Sequence, residues 1–116
     1  MTDSPTKRTF TYEQAQAQLP HVQELTAAAV RQIESLFNRV QSRDEMETRR
    51  EELEAASQAV VEQWARQVTG LGCEVKGLWL VDWDSGAGYY CWRYPEETLG
   101  HFHGYDEGFP GRVPIQ

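Results

Sequence analysis

The residues able to do chemistry lie close together in the last third of the chain. His101-Phe102-His103 carries two imidazoles separated by one residue. In an extended strand, side chains alternate between faces, so both rings fall on one side, roughly 6.5–7 Å apart at Cα. Both can then reach one divalent metal. Glu96, Asp106 or Glu107 is a candidate third ligand. Two sheet histidines hydrogen-bonded to tyrosine or backbone have the same sequence pattern, because an HxH alone is a weak motif. A second set is Arg93, Glu96, His103 and Arg112. Two guanidiniums and an imidazole suit a carboxylate or phosphate, since arginine offers a planar fork of donors. Glu96 can act as a general acid or base if buried. The competing reading is structural: Arg93 or Arg112 pairs with Glu96, Asp82 or Asp106 and pins the tail to the sheet.

Other features carry less chemistry. Cys73 and Cys91 are the only cysteines, and no apolar leader follows the basic residues near the start. That combination predicts free thiols and a cytoplasmic protein, with Cys91 an inert core thiol in mid-strand. Gly108-Phe109-Pro110-Gly111-Arg112 lacks the strand–loop–helix setting and the Lys-Ser/Thr ending of a phosphate loop. Its glycines instead allow a tight turn that aims Phe109 into a pocket. The net charge of −7 repels phosphate and excludes a generic nucleic-acid or anionic-membrane binder. No apolar run approaches the ~20 residues that span a bilayer.

These groups need elements to position them. The chain has 116 residues, enough for a single domain over 1–116. All 9 glycines lie at or beyond Gly70, and most aromatics follow Cys73. Helices followed by strands produce such a split. Thr11 reads as an N-cap, with Gln14 completing a capping box and Phe10 stapling onto Ala15. Pro20 predicts a kink or break after Leu19. Val22, Leu25, Ala29, Ile33, Leu36, Phe37 and Val40 then form one stripe. Ser42 or Asp44 caps a second helix, Ser42 and Glu45 fit a capping box, and Met46, Leu53, Ala56, Val60, Trp64 and Val68 continue the stripe until Gly70 and Gly72 stop it. Two helices of about 25 residues predict an antiparallel hairpin over 11–70, roughly 35–40 Å long. The charge run Asp44–Glu54 reads as a solvated face of local ion pairs. Strands at Leu78–Trp83, Tyr89–Tyr94 and Leu99–His103 predict a three-stranded antiparallel meander over 78–103. Residues 1–9 should fray, and 104–116 form an ordered tail. The fold class is α+β.

Short turns of even length would place Trp79, Val81, Trp83, Tyr90, Trp92, His101 and His103 on one sheet face. Leu78, Leu80, Cys91 and Phe102 fall on the other, with Asp82 and Arg93 at its ends. The Leu/Cys/Phe face is expected to rest on the helices. The aromatic–histidine face then needs its own cover, which predicts a homodimer.

Several segments together resemble the family known as domain of unknown function 2203. They are Phe10-Thr11-Tyr12-Glu13-Gln14-Ala15, Leu19-Pro20, Leu80-Val81-Asp82-Trp83, Cys91-Trp92-Arg93 with Glu96, Phe102-His103, and Gly108-Phe109-x-Gly111-Arg112-x-Pro114. The resemblance covers nearly the whole chain. The family pattern has Gly where this chain has Pro95 and Trp where it has Phe102, which leaves the second turn type open. The resemblance implies a small cytoplasmic bacterial protein and no particular reaction.

The leading expectation is a dimeric ligand-binding or accessory protein with its site at Arg93, Glu96, His103 and Arg112, taking a small anionic ligand. Two alternatives stand beside it. One is a metal-dependent enzyme or metallochaperone using a divalent ion at His101 and His103. The other is a protein-interaction module working through the helical hairpin.

Overall fold

The computed structural model describes residues 8–115. Most of the expected frayed segment, 1–7, lies outside the described residues. Arg8 is tied down, its Nη1 donating to the Leu71 carbonyl at 3.0 Å.

Helix α1 runs Tyr12–Asn38. Its start follows the capping box: the Gln14 N–H donates to Thr11 Oγ1 at 3.1 Å, and the Thr11 N–H to Gln14 Oε1 at 2.9 Å. Of the kink or break expected at Pro20, the break does not occur, and the helix continues through it. Its ring lies on the exposed side, and the buried neighbours Leu19 and Val22 hold the turn in place by packing. The return limb is broken in two, α2 at Arg43–Thr48 and α3 at Arg50–Thr69. Ser42 caps α2 through the Glu45 N–H, but Glu45 Oε1 accepts from the Gln41 N–H instead of closing the box on Ser42. At Arg49 the backbone leaves the helical region, φ −100° and ψ 7°. The α2 stretch buries no residue, so no packing compels it to run straight into α3. Trp64 Nε1 donates to Thr26 Oγ1 at 2.8 Å and joins α3 to α1.

The sheet has five strands, not three, in the antiparallel order β1-β2-β3-β4-β5: Glu74–Gly77, Leu80–Asp84, Tyr89–Arg93, His101–His103 and Val113–Pro114. Leu78 and Trp79 belong to the β1–β2 turn and not to a strand, with Trp79 at φ 59°. The expected tail contains a 3-10 turn, Phe109–Gly111, and then β5 on the edge of β4. Among the described residues no helix is long and apolar enough to cross a membrane.

The register corrects the face assignment. Val81 pairs with Trp92 and Trp83 with Tyr90, so these four share a face as expected. In the next ladder Tyr90 pairs with Phe102, Cys91 with His101 and Tyr89 with His103. That is one residue away from the expected pairing, and it moves both histidines to the opposite face. The connection Tyr94–Gly100, which includes a cis Tyr94–Pro95 bond, is no short turn. It is held on α1: Tyr12 OH donates to the Leu99 carbonyl at 2.7 Å, and Gln23 Nε2 to the carbonyls of Glu96 and Glu97. Leu99 is buried in the core, and this anchorage fixes the odd register.

The aromatic face is therefore the one on the helices. Val81, Trp83 and Trp92 join Leu19, Val22, Trp64 and Val68 in one core. Each buried indole removes about 200 Å² from water, worth ~5 kcal/mol by area. The expected reason for a dimer, an uncovered aromatic face, disappears.

Candidate functional site

The outward face of β2–β4 carries Asp82, Asp84, Tyr89, Cys91, Arg93, His101 and His103. Asp82 and Cys91 are fully buried and His103 nearly so. His103 Nε2 lies 2.8 Å from Asp82 Oδ2, and its Nδ1 lies 2.8 Å from the Gly104 carbonyl. A carbonyl only accepts, so Nδ1 carries a proton, and the acid–imidazole contact holds one more between its two members. Lys76 Nζ is 3.6 Å from Asp82 Oδ2, 3.5 Å from Glu74 Oε1 and 3.7 Å from the centre of the Tyr89 ring. Burial works against the Lys76 charge, but Tyr89, Asp82 and Glu74 outweigh it and raise its pKa. Asp82 Oδ1 is buried without a hydrogen-bond partner.

Lys76, Asp82, His103, Tyr105 and Phe109 surround a cavity of about 250 Å³. Tyr105 OH donates to Asp84 Oδ1 at 2.6 Å, and that bond raises the phenol to about 12. Phe109 reaches the cavity because Gly108, at φ 65°, turns the chain into the short 3-10 segment. The sequence expectation that these glycines aim Phe109 into a pocket agrees with this geometry.

Beside this cavity stands an ion-pair network. Arg112 clasps Glu96 with two hydrogen bonds, 3.0 and 2.8 Å. The Arg93 N–H donates to Glu96 Oε1 at 2.8 Å. Partial burial raises the Glu96 pKa, but Arg112, the Arg93 N–H and His101 more than offset it, and the net shift is downward. The Arg112 guanidinium sits 4.4 Å from the Phe109 ring centre and that of Arg93 5.4 Å. Cys91 lies between the two groups. Burial, with Asp82 adding to it and Arg112 opposing, pushes its thiol up to about 12. Both cysteines are free and buried.

The four expected ligand residues are thus partly gathered. Glu96 and Arg112 pair directly, Arg93 meets Glu96 through its backbone, and His103 belongs to the neighbouring Asp82 group. The two histidines share a face but look to different partners: His101 Nδ1 is 3.8 Å from Glu96 Oε2. Of the other carboxylates, Glu107 accepts from the Gly104 N–H at 2.8 Å, and Asp106 is exposed. Sequence reasoning missed Lys76 and Tyr105 and gave Asp82 no role beyond pairing with arginine. The alternation Val81-Asp82-Trp83-Asp84 was the available signal, since acids every second residue between buried apolar neighbours mark an outward polar face.

Residues 8–115 match the family described as "Uncharacterized conserved protein (DUF2203)". The chain belongs to the DUF2203 family. No curated protein and no solved structure matches it. In this DUF2203 chain the Phe102-His103 and Gly108–Pro114 segments that carried the sequence resemblance are the ones flanking the cavity and the Glu96–Arg112 pair.

Proposed function

We propose that this protein is a binding or accessory protein that takes a small ligand bearing a carboxylate or phosphate into the cavity beside Asp82 and His103. The observation that carries the reading is a cavity of about 250 Å³ with a buried acid–imidazole pair and the cation Lys76 in its lining. Lys76 meets the ligand's charge, and Asp82 Oδ1 accepts from its polar end while His103 holds Asp82 in place. Phe109, stacked against Arg93 and Arg112, supplies the apolar wall, and Glu96 fixes Arg112. All four residues singled out in the sequence then serve one site, directly or by support. The free thiols fit a reducing cytoplasm.

The test is thermal unfolding of chelator-treated protein with small carboxylates and inorganic phosphate. A ligand at 100 times its Kd stabilises by about 2.7 kcal/mol, which is several degrees for a domain of this size. The shift should disappear in Lys76→Met and His103→Gln. No shift with any of these ligands, or a shift indifferent to both substitutions, overturns the reading.

A second reading concerns the far end of the hairpin. There a groove of about 720 Å³ is lined mainly by apolar residues, Val30, Ile33, Phe37, Val61, Leu78 and Trp79, with Glu34 and Glu54 among its polar lining, and Leu78 is 61% exposed. Its apolar lining favours a protein partner, and a second copy of this chain is the occupant we propose.

A further inference from the structure

We propose that Asp82, Cys91 and His103 form a binding site for one divalent transition metal of the zinc class. The inference deepens the reading of the polar face as a binding site and rests on it. One carboxylate oxygen, the Cys91 Sγ and one His103 ring nitrogen lie within 4.8 Å of one another, all on buried residues. Mixed O, S and N donors are the set that zinc accepts, and three protein ligands leave a fourth position open. Asp82 Oδ1 is buried with no partner, although Asp82 is fully removed from solvent. An orphaned carboxylate oxygen in such a place calls for a cation or a donor.

The imidazole is already oriented as a metal-binding histidine is. Its Nδ1–H points at the Gly104 carbonyl, 2.8 Å away, which leaves Nε2 to face Asp82 and the cluster. A backbone carbonyl on the distal nitrogen fixes the tautomer and strengthens the ligand. The cavity reaches Asp82 and His103 and gives the fourth position access to solvent or to a small ligand. The pair His101 and His103 is not the ligand set, because His101 turns toward Glu96.

The exchange balances without any redox change. The metal forms bonds to oxygen, sulfur and nitrogen. The Cys91 S–H proton and the proton held between Asp82 and His103 leave to solvent. A 2+ ion thus replaces two protons, and the net charge of the buried cluster stays constant. Lys76 must yield its place at Asp82, and Glu74 is its alternative partner.

Cobalt(II) alone, added to metal-free full-length protein, tests this. The expected result is about one ion per chain, with a thiolate-to-cobalt charge-transfer band. Cys91→Ser should abolish the band, Cys73→Ser should leave it intact, and His103→Gln should weaken binding at least about tenfold. Absence of the band in the unsubstituted protein, or a band that survives Cys91→Ser, overturns the site, whether or not a variant folds poorly. If carboxylate or phosphate stabilises the chelated protein while cobalt gives no band, only the metal site fails. If neither binds, the reading of the cavity fails with it.

Discussion

The two faces of one sheet follow different rules here. On β2, Val81 and Trp83 point to the helices, and Asp82 and Asp84 point away. The helix-facing side is closed. Its indole N–H groups each find one acceptor, Trp83 on Gln18 and Trp92 on the Glu96 carbonyl. The outward side is made of charges in pairs, and it leaves Asp82 Oδ1 and His101 Nδ1 buried without a hydrogen bond. One face supplies stability through area, and the other keeps polar capacity in reserve. Buried polar groups are normally satisfied, and the exception at Asp82 is what the proposed binding sites rest on.

Substitutions can break or sharpen this contrast. Trp92→Ala opens a large void on the closed face and should cost about 3–5 kcal/mol in urea unfolding. A cost under ~1 kcal/mol would mean that the helix-facing side is not the main source of stability.

Arg112→Met acts on the other face and should cost less, about 1–2 kcal/mol near neutral pH, because the pair is only partly shielded from solvent. Its acid dependence has a definite sign. The Glu96 pKa in the folded protein is below its ordinary value of 4.5, chiefly through Arg112 and against burial. The pair's contribution is therefore complete above 4.5 and is lost as pH falls through the lowered folded value. Urea midpoints of the two proteins should differ near neutrality and converge well below 4.5. A gap that persists in acid would assign the loss to packing on Phe109 instead.

Leu78→Glu should have the smallest effect on stability, within ~0.5 kcal/mol, yet abolish self-association in sedimentation experiments. Unsubstituted protein that is already monomeric at micromolar concentration removes the second-copy reading.

Much of the scaffold was legible in local sequence signals. Thr11 and Gln14 announced the start of α1, Ser42 the start of α2, and the glycine-free first part the helices as a group. The losses came where distant contacts decide. Pro20 sits in a helix that packing sustains. Arg49 interrupts a limb whose charge pattern runs on without a break. β5 is two residues long and exists only because β4 lies beside it. The face of the histidines depended on the path of 94–100, which Tyr12 and Gln23 of α1 hold. No local pattern within 94–100 encodes that anchorage. The Asp82–Cys91–His103 cluster inherits the same dependence. Asp82 and Cys91 were correctly placed on one face, and only the slip in β4 kept His103 from joining them.

The two rims of the sheet have a further consequence. On one side the outermost strand is β5, two residues long and ending in Pro114, which has no N–H to offer a neighbouring chain. On the other side β1 is irregular between Val75 and Gly77 and carries Lys76. Both rims are poor templates for an added strand, so misassembly by edge-to-edge growth into fibrils is disfavoured at each end.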